Sequence, residues 1–177
     1  GGRREGLREA ERFYARALAL AAPGTDAALE LGLRHGRALL AITDLRRATE
    51  ELLATRDASA AAGLDAVRCG AIVALANIYG KQGRAADAQA LLDEAQALAE
   101  AIGDRELQVR TAYELSRTRA WFEGAADQAL DELRAAVRLA EALSNRELTI
   151  EGHMRVGTML FNAGRLEQAD EHLALCT

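Results

Sequence analysis

The sequence predicts an all-α fold in which antiparallel helix pairs are stacked one after another along the chain. Three observations carry that prediction. Half of the 177 residues are apolar, yet only 4 per cent are aromatic, so the core must be built from Ala and Leu, which suits close-packed helices and suits sheets poorly. Pro23 is the single proline. The chain also matches itself when shifted, and the match is carried by small residues.

A shift of about 40 residues brings Gly36 onto Ala76, Ala48 onto Ala88 and Thr55 onto Ala95. A shift of about 81 brings Ala76 onto Gly157, Gly83 onto Gly164, Ala88 onto Ala169 and Ala95 onto Cys176. Each unit then reads as a helix A, a tight turn and an antiparallel helix B. Larger side chains at these places would push helix axes beyond the usual separation of roughly 8–10 Å.

The elements follow in order. Residues 1–21 contain "GLREAERFYARALALA", which has the character of a helix B, with Ala10 and Ala17 in its two small positions. No helix A precedes it. Residues 22–62 form a repeat in which Thr43 stands at the turn and Asp44 supplies a cap. Residues 63–103 hold the clearest copy, "NIYGKQGRAADAQALLDEAQAL", where Leu75, Tyr79, Leu91, Leu92 and Leu98 fill the space between the small residues, and Gly103 stops the second helix.

Residues 104–144 are the most divergent repeat. Ser116, Ala129 and Ala136 take the small positions, Arg119 replaces the equivalent of Tyr79, and one extra residue sits near Gly124. Its opening "GDRELQV" recurs as "SNRELTI" at the start of residues 145–177, with Asp104 and Asn145 as N-caps. This last repeat stops inside its helix B. Neither end has a polar capping repeat, so the expectation is a fragment of a longer polypeptide.

This pattern resembles the tetratricopeptide repeat (TPR) family, whose signature is a small residue in helix A, two in helix B and a Gly at the turn. Four related copies cover essentially the whole chain. The period is longer than the usual 34 residues, and this long form also resembles the repeat regions of large bacterial signalling and transcriptional regulators. The TPR resemblance implies a right-handed α-α superhelix whose concave face is lined by helix A and receives extended or helical peptides. Carried over repeat by repeat, the groove positions are Leu33, Arg37, Leu40 and Ala41; then Val73, Asn77 and Lys81; then Arg110, Tyr113, Arg117 and Trp121; and finally Met154, Thr158, Phe161 and Asn162.

That lining is basic and aromatic in a chain of net charge -5, with Glu30 and Glu151 opposing Arg37, Lys81, Arg110 and Arg117. The implied partner is a protein or peptide, acidic and with an apolar anchor. The family's carboxylate clamp is matched only in part, since Val73 stands where a base is needed beside Asn77 and Lys81.

Other function classes find little support. "YGKQGR" lacks the earlier Gly and the following Ser or Thr of a phosphate loop, because Leu75 and Gln82 occupy those places. His172 and Cys176 share a helix face at a chelating spacing, but no further zinc ligands converge in the sequence, and Cys176 falls at a packing position. His35 and His153 lie near the contact between helices A and B and read as structural. Asp93 and Glu94 belong to a charged helix face. No catalytic residue, metal site or cofactor is expected, and the chain reads as non-enzymatic.

The mixed, acidic charge argues against nucleic acid. "CGAIVALANIYG" is too short to span a bilayer, and two distant cysteines fit a reducing, cytoplasmic compartment. A binding scaffold is thus the leading expectation. The alternatives are a sensory or autoinhibitory region of a larger regulator, and self-assembly through uncapped ends.

Overall fold

A computed structural model describes residues 2–122, 124 and 126–176, apart from the side chains at positions 3, 4, 121 and 122. The described residues are organised as α-helices joined by short turns. They fall into two compact units, Gly1–Ile102 and Gly103–Thr177. The first unit holds α1 (Gly2–Leu20), α2 (Asp26–Ala41), α3 (Leu45–Ala62), α4 (Asp65–Lys81) and α5 (Ala85–Ile102); the second holds α6 (Arg105–Phe122), α7 (Ala126–Ala142), α8 (Arg146–Asn162) and α9 (Leu166–Ala174). Within each unit every helix packs on its neighbours in sequence, and in addition α2 touches α4 and α6 touches α8. Pairs that meet both within and between hairpins are the α-α solenoid arrangement.

Local chemistry places the helix ends. Asp44 Oδ1 accepts the backbone N–H of Arg47 at 3.2 Å, Asp104 Oδ1 that of Leu107 at 3.0 Å, and Asn145 Oδ1 that of Leu148 at 3.1 Å, each satisfying a donor the helix cannot. Gly63 closes α3 with φ 71°, a left-handed conformation natural to glycine. The turn before α3 takes the same conformation with Thr43 at φ 67°, and the turn before α8 with Ser144 at φ 54°. Asp44 and Asn145 follow directly, so these turns are held by a cap where the glycine is missing.

The small positions lie in the interior. Ala48, Ala88, Ala95 and Ala129 are fully buried, and Ala76, Ser116 and Ala169 nearly so. Gly36 is tighter still: a Cβ built there would lie 2.6 Å from Cγ and Cδ2 of Leu52. Leu52 joins Leu39, Leu75 and Ile78 in the core of the first unit. Burying each such side chain contributes roughly 1.5–3 kcal/mol. Gly157 does the same in the second unit, where a Cβ would meet Leu173 at 2.8 Å. That core gathers Val109, Tyr113, Leu133, Leu148, Val156 and Leu160.

His35 and His153 are interior groups that join helices. His35 on α2 is 6% exposed, with Nδ1 3.2 Å from Glu51 on α3 and Nε2 3.6 Å from Glu11 on α1. His153 on α8 faces His172 on α9, Nδ1 to Nδ1, at 3.0 Å, while its Nε2 lies 3.4 Å from Glu141 on α7. Among the described residues no helix is long and apolar enough to cross a membrane, and no cluster of three or more His, Cys, Asp or Glu residues is arranged to hold a metal.

Candidate functional site

In the first unit, the helix A faces come from α2 and α4. Arg37 and Lys81 are exposed and Asn77 is half-buried. Gly70 makes room for α2 side chains on α4: a Cβ there would meet Leu33 at 2.8 Å and Nη2 of Arg37 at 3.1 Å. Val73 is 8% exposed, so it belongs to the core and offers little to an open groove, a correction to its assignment as lining. Repeat position alone does not set burial. Tyr113 occupies the same position in the next repeat and is 1% exposed, whereas Met154 in the repeat after it is 48% exposed.

In the second unit, α6, α7 and α8 enclose an open cavity of about 660 Å³. Tyr113, Arg117 and Ala120 contribute from α6, Ala126 and Leu133 from α7, and Met154, Arg155, Thr158, Met159, Asn162 and Ala163 from the α8 side. Five of the residues assigned from sequence, Tyr113, Arg117, Met154, Thr158 and Asn162, therefore meet at one concavity. Tyr113 serves as wall rather than exposed anchor. Its hydroxyl donates to the carbonyl of Leu148 at 2.9 Å, and burial, reinforced by Glu151, pushes its pKa up to about 12. Phe161 is 62% exposed and outside this lining, and Trp121 falls outside the described side chains.

The charges beside the cavity are paired through a residue the sequence reading did not single out. Glu114 is 5% exposed. Its Oε2 accepts from Nε and Nη2 of Arg117 at 3.0 and 2.7 Å, and its Oε1 accepts from Nη2 of Arg155 at 2.6 Å. Arg155 also donates through Nε and Nη2 to Glu151 at 3.0 and 2.8 Å, and Arg110 lies 3.7 Å from the same carboxylate. Burial pushes the Glu114 carboxyl up, but the guanidinium groups of Arg155 and Arg117 outweigh it and hold the pKa below the usual carboxylate value. Likewise burial opposes the charge of Arg155, and Glu114 and Glu151 restore it.

The expected basic lining is thus corrected in this unit: three guanidinium groups share two carboxylates. The i,i+3 spacing of Glu114 and Arg117 was visible in the sequence, but Arg155 lies 41 residues from Glu114 and only the fold brings it near.

Helix pairs with small residues at their crossings, carrying a cavity on the helix A side, define a TPR-like helical repeat chain of the α-α solenoid class. Known structures agree with that class. The chain is similar to a kinesin-light-chain-like protein of Podosopora anserina built from nearly identical TPR-like repeats, with 18% identity and a TM-score of 0.60 over 96% of this chain and 85% of that one. A point variant of that protein gives 18% identity and a TM-score of 0.62, covering 96% and 84% of the two chains. BtubC (BKLC) from P. vanneervenii gives 15% identity and a TM-score of 0.67 over 97% of this chain and 72% of that one. No protein-family model and no curated protein matches the sequence.

Proposed function

We propose that the chain is a non-enzymatic scaffold module that binds a protein or peptide on its helix A side. One observation carries the reading: side chains from α6, α7 and α8, several of them assigned from repeat position alone, line a single concavity of about 660 Å³. Met154 and Thr158 are exposed on its α8 wall, where an incoming side chain can reach them. The partner is selected chiefly by apolar contact and short-range hydrogen bonds, because two carboxylates already engage the three arginines and leave little long-range charge.

Charge reversal at Arg117 is a poor test, since Arg117→Glu sets a second carboxylate against buried Glu114 and strikes the fold itself. A photo-crosslinking residue at Met154 probes the surface more cleanly, with one at exposed Arg138 on α7 as the comparison. A partner captured through position 154 and not through 138 is expected. Capture through 138 alone would place the receptor surface on helix B and refute the proposal.

A second reading, self-association, is favoured by exposed apolar side chains: Phe13 and Leu20 on α1 of the first unit, and Leu166, Leu173 and Leu175 on or beside α9 of the second. A mass independent of concentration in sedimentation equilibrium would remove it.

A further inference from the structure

We propose that the cavity between α6, α7 and α8 is a receptor site for a small amphipathic monocarboxylic acid, its head on Arg117 and Arg155 and its apolar body on Tyr113, Leu133 and Met159. The inference rests on the helix A side being the binding surface and names a ligand for it.

Three features of the site select that chemistry. The walls are apolar over most of their extent, and the volume of about 660 Å³ falls in the range of small-ligand sites. Both arginines that reach the cavity are fixed in place by carboxylates: Arg117 is held by Glu114 through Nε and Nη2, and Arg155 is held by Glu114 through Nη2 and by Glu151 through Nε and Nη2. Neither Nη1 group makes a hydrogen bond among the described residues. Arg117, held rigidly on its Nε/Nη2 edge, keeps its Nη1 side for a second carboxylate, and Arg155 adds a single donor group, its Nη1.

Charge balance supplies the third. Among the described residues, Arg110, Arg117 and Arg155 face Glu114 and Glu151, so this set of ion pairs holds one more positive charge than negative. A monoanion completes it, whereas a cation is repelled and a neutral alcohol leaves it open. Asn162 adds an exposed amide at the rim. Thr158 does not compete for the head group, since its hydroxyl donates to the carbonyl of Met154 at 2.8 Å.

Isothermal titration of the full chain with decanoate, decanol and decylamine tests the proposal, together with a peptide ending in leucine with a free or amidated C-terminus. Decanoate is expected to bind at least about tenfold more tightly than the alcohol or the amine. Equal binding of decanol, or no binding of decanoate, would overturn the site. The free-ended peptide binding more tightly than decanoate would overturn a small acid as the occupant.

Two variants locate the binding. Thr158→Trp fills the cavity from an exposed position without touching the ion pairs, and should abolish decanoate binding while leaving the unfolding midpoint unchanged. Arg117→Lys keeps the charge beside Glu114 but loses the fork, and should weaken binding about tenfold. Retention of wild-type affinity by Thr158→Trp would overturn the location. Failure of decanoate with the Met154 crosslink retained removes the small ligand and leaves the scaffold reading standing.

Discussion

Adding one methyl group at Gly36 tests the role of the small positions. Two terms oppose each other in Gly36→Ala. Alanine in a helix interior is favoured over glycine by about 0.8–1 kcal/mol. Against that, the new Cβ would stand 2.6 Å from Cγ and Cδ2 of Leu52, whereas carbon atoms prefer roughly 3.5–4.0 Å, so the helices must part or Leu52 must leave its place by about 1 Å. Leu52 is fully buried, and overpacking of this kind costs about 1–3 kcal/mol.

The net expectation is a loss of about 1 kcal/mol, or about 2–4 °C in Tm for a chain of this size. The double-mutant cycle is sharper. Leu52→Ala alone should cost about 2–5 kcal/mol, but in that background the Gly36 methyl enters vacated space and becomes stabilising by about 1 kcal/mol. Urea unfolding of the four proteins, followed by far-UV circular dichroism, should therefore give a coupling of about 2 kcal/mol in favour of the double variant. Additivity within about 0.5 kcal/mol would refute the claim that the glycine exists to admit Leu52.

Other expectations follow from particular residues. Glu114→Gln leaves two partly buried guanidinium groups short of a charge and should destabilise the second unit by about 3–5 kcal/mol, read as a lower denaturant midpoint. Because the folded pKa of Glu114 is depressed, its contribution is present above the unfolded value of 4.5 and is lost as pH falls through the lower folded value; the wild type should lose stability more steeply than Glu114→Gln in acid below pH 4.5. His172 is linked in the same direction: burial, then His153 and Arg134, hold its pKa below 6.5, so the unfolded chain takes up the proton first and stability falls as pH drops below 6.5. His172→Asn should flatten that part of the curve, seen in thermal midpoints between about pH 7 and 5. Thr43→Gly relieves a branched side chain at φ 67° and should raise stability by about 1 kcal/mol, measured by urea midpoint.

The helix pairs were legible because their signals are local. Asp44, Asp104 and Asn145 cap helices where the sequence placed them, and the small residues recur at intervals that no composition bias explains. The site was less legible because its determinants are not local. Repeat position brought Tyr113, Met154 and Asn162 to one concavity, yet could not say that Tyr113 would be a wall and Met154 a surface, since that depends on which neighbour lies alongside. Nor could a count of Arg and Glu along helix A reveal pairing. Glu114 sits on the same helix as Arg117 and looks like one more solvated carboxylate until Arg155, two helices later, closes over it.

That closure has a kinetic consequence. A surface of unpaired arginines would draw an anion from several ångströms away and lose its pull as salt is added. Here the guanidinium charge is largely spent inside the network, in a chain whose formal charge is already -5, so an approaching anion feels little attraction until it touches. Encounter should be unsteered and nearly indifferent to ionic strength. Discrimination between ligands would then appear in how long they stay rather than in how fast they arrive.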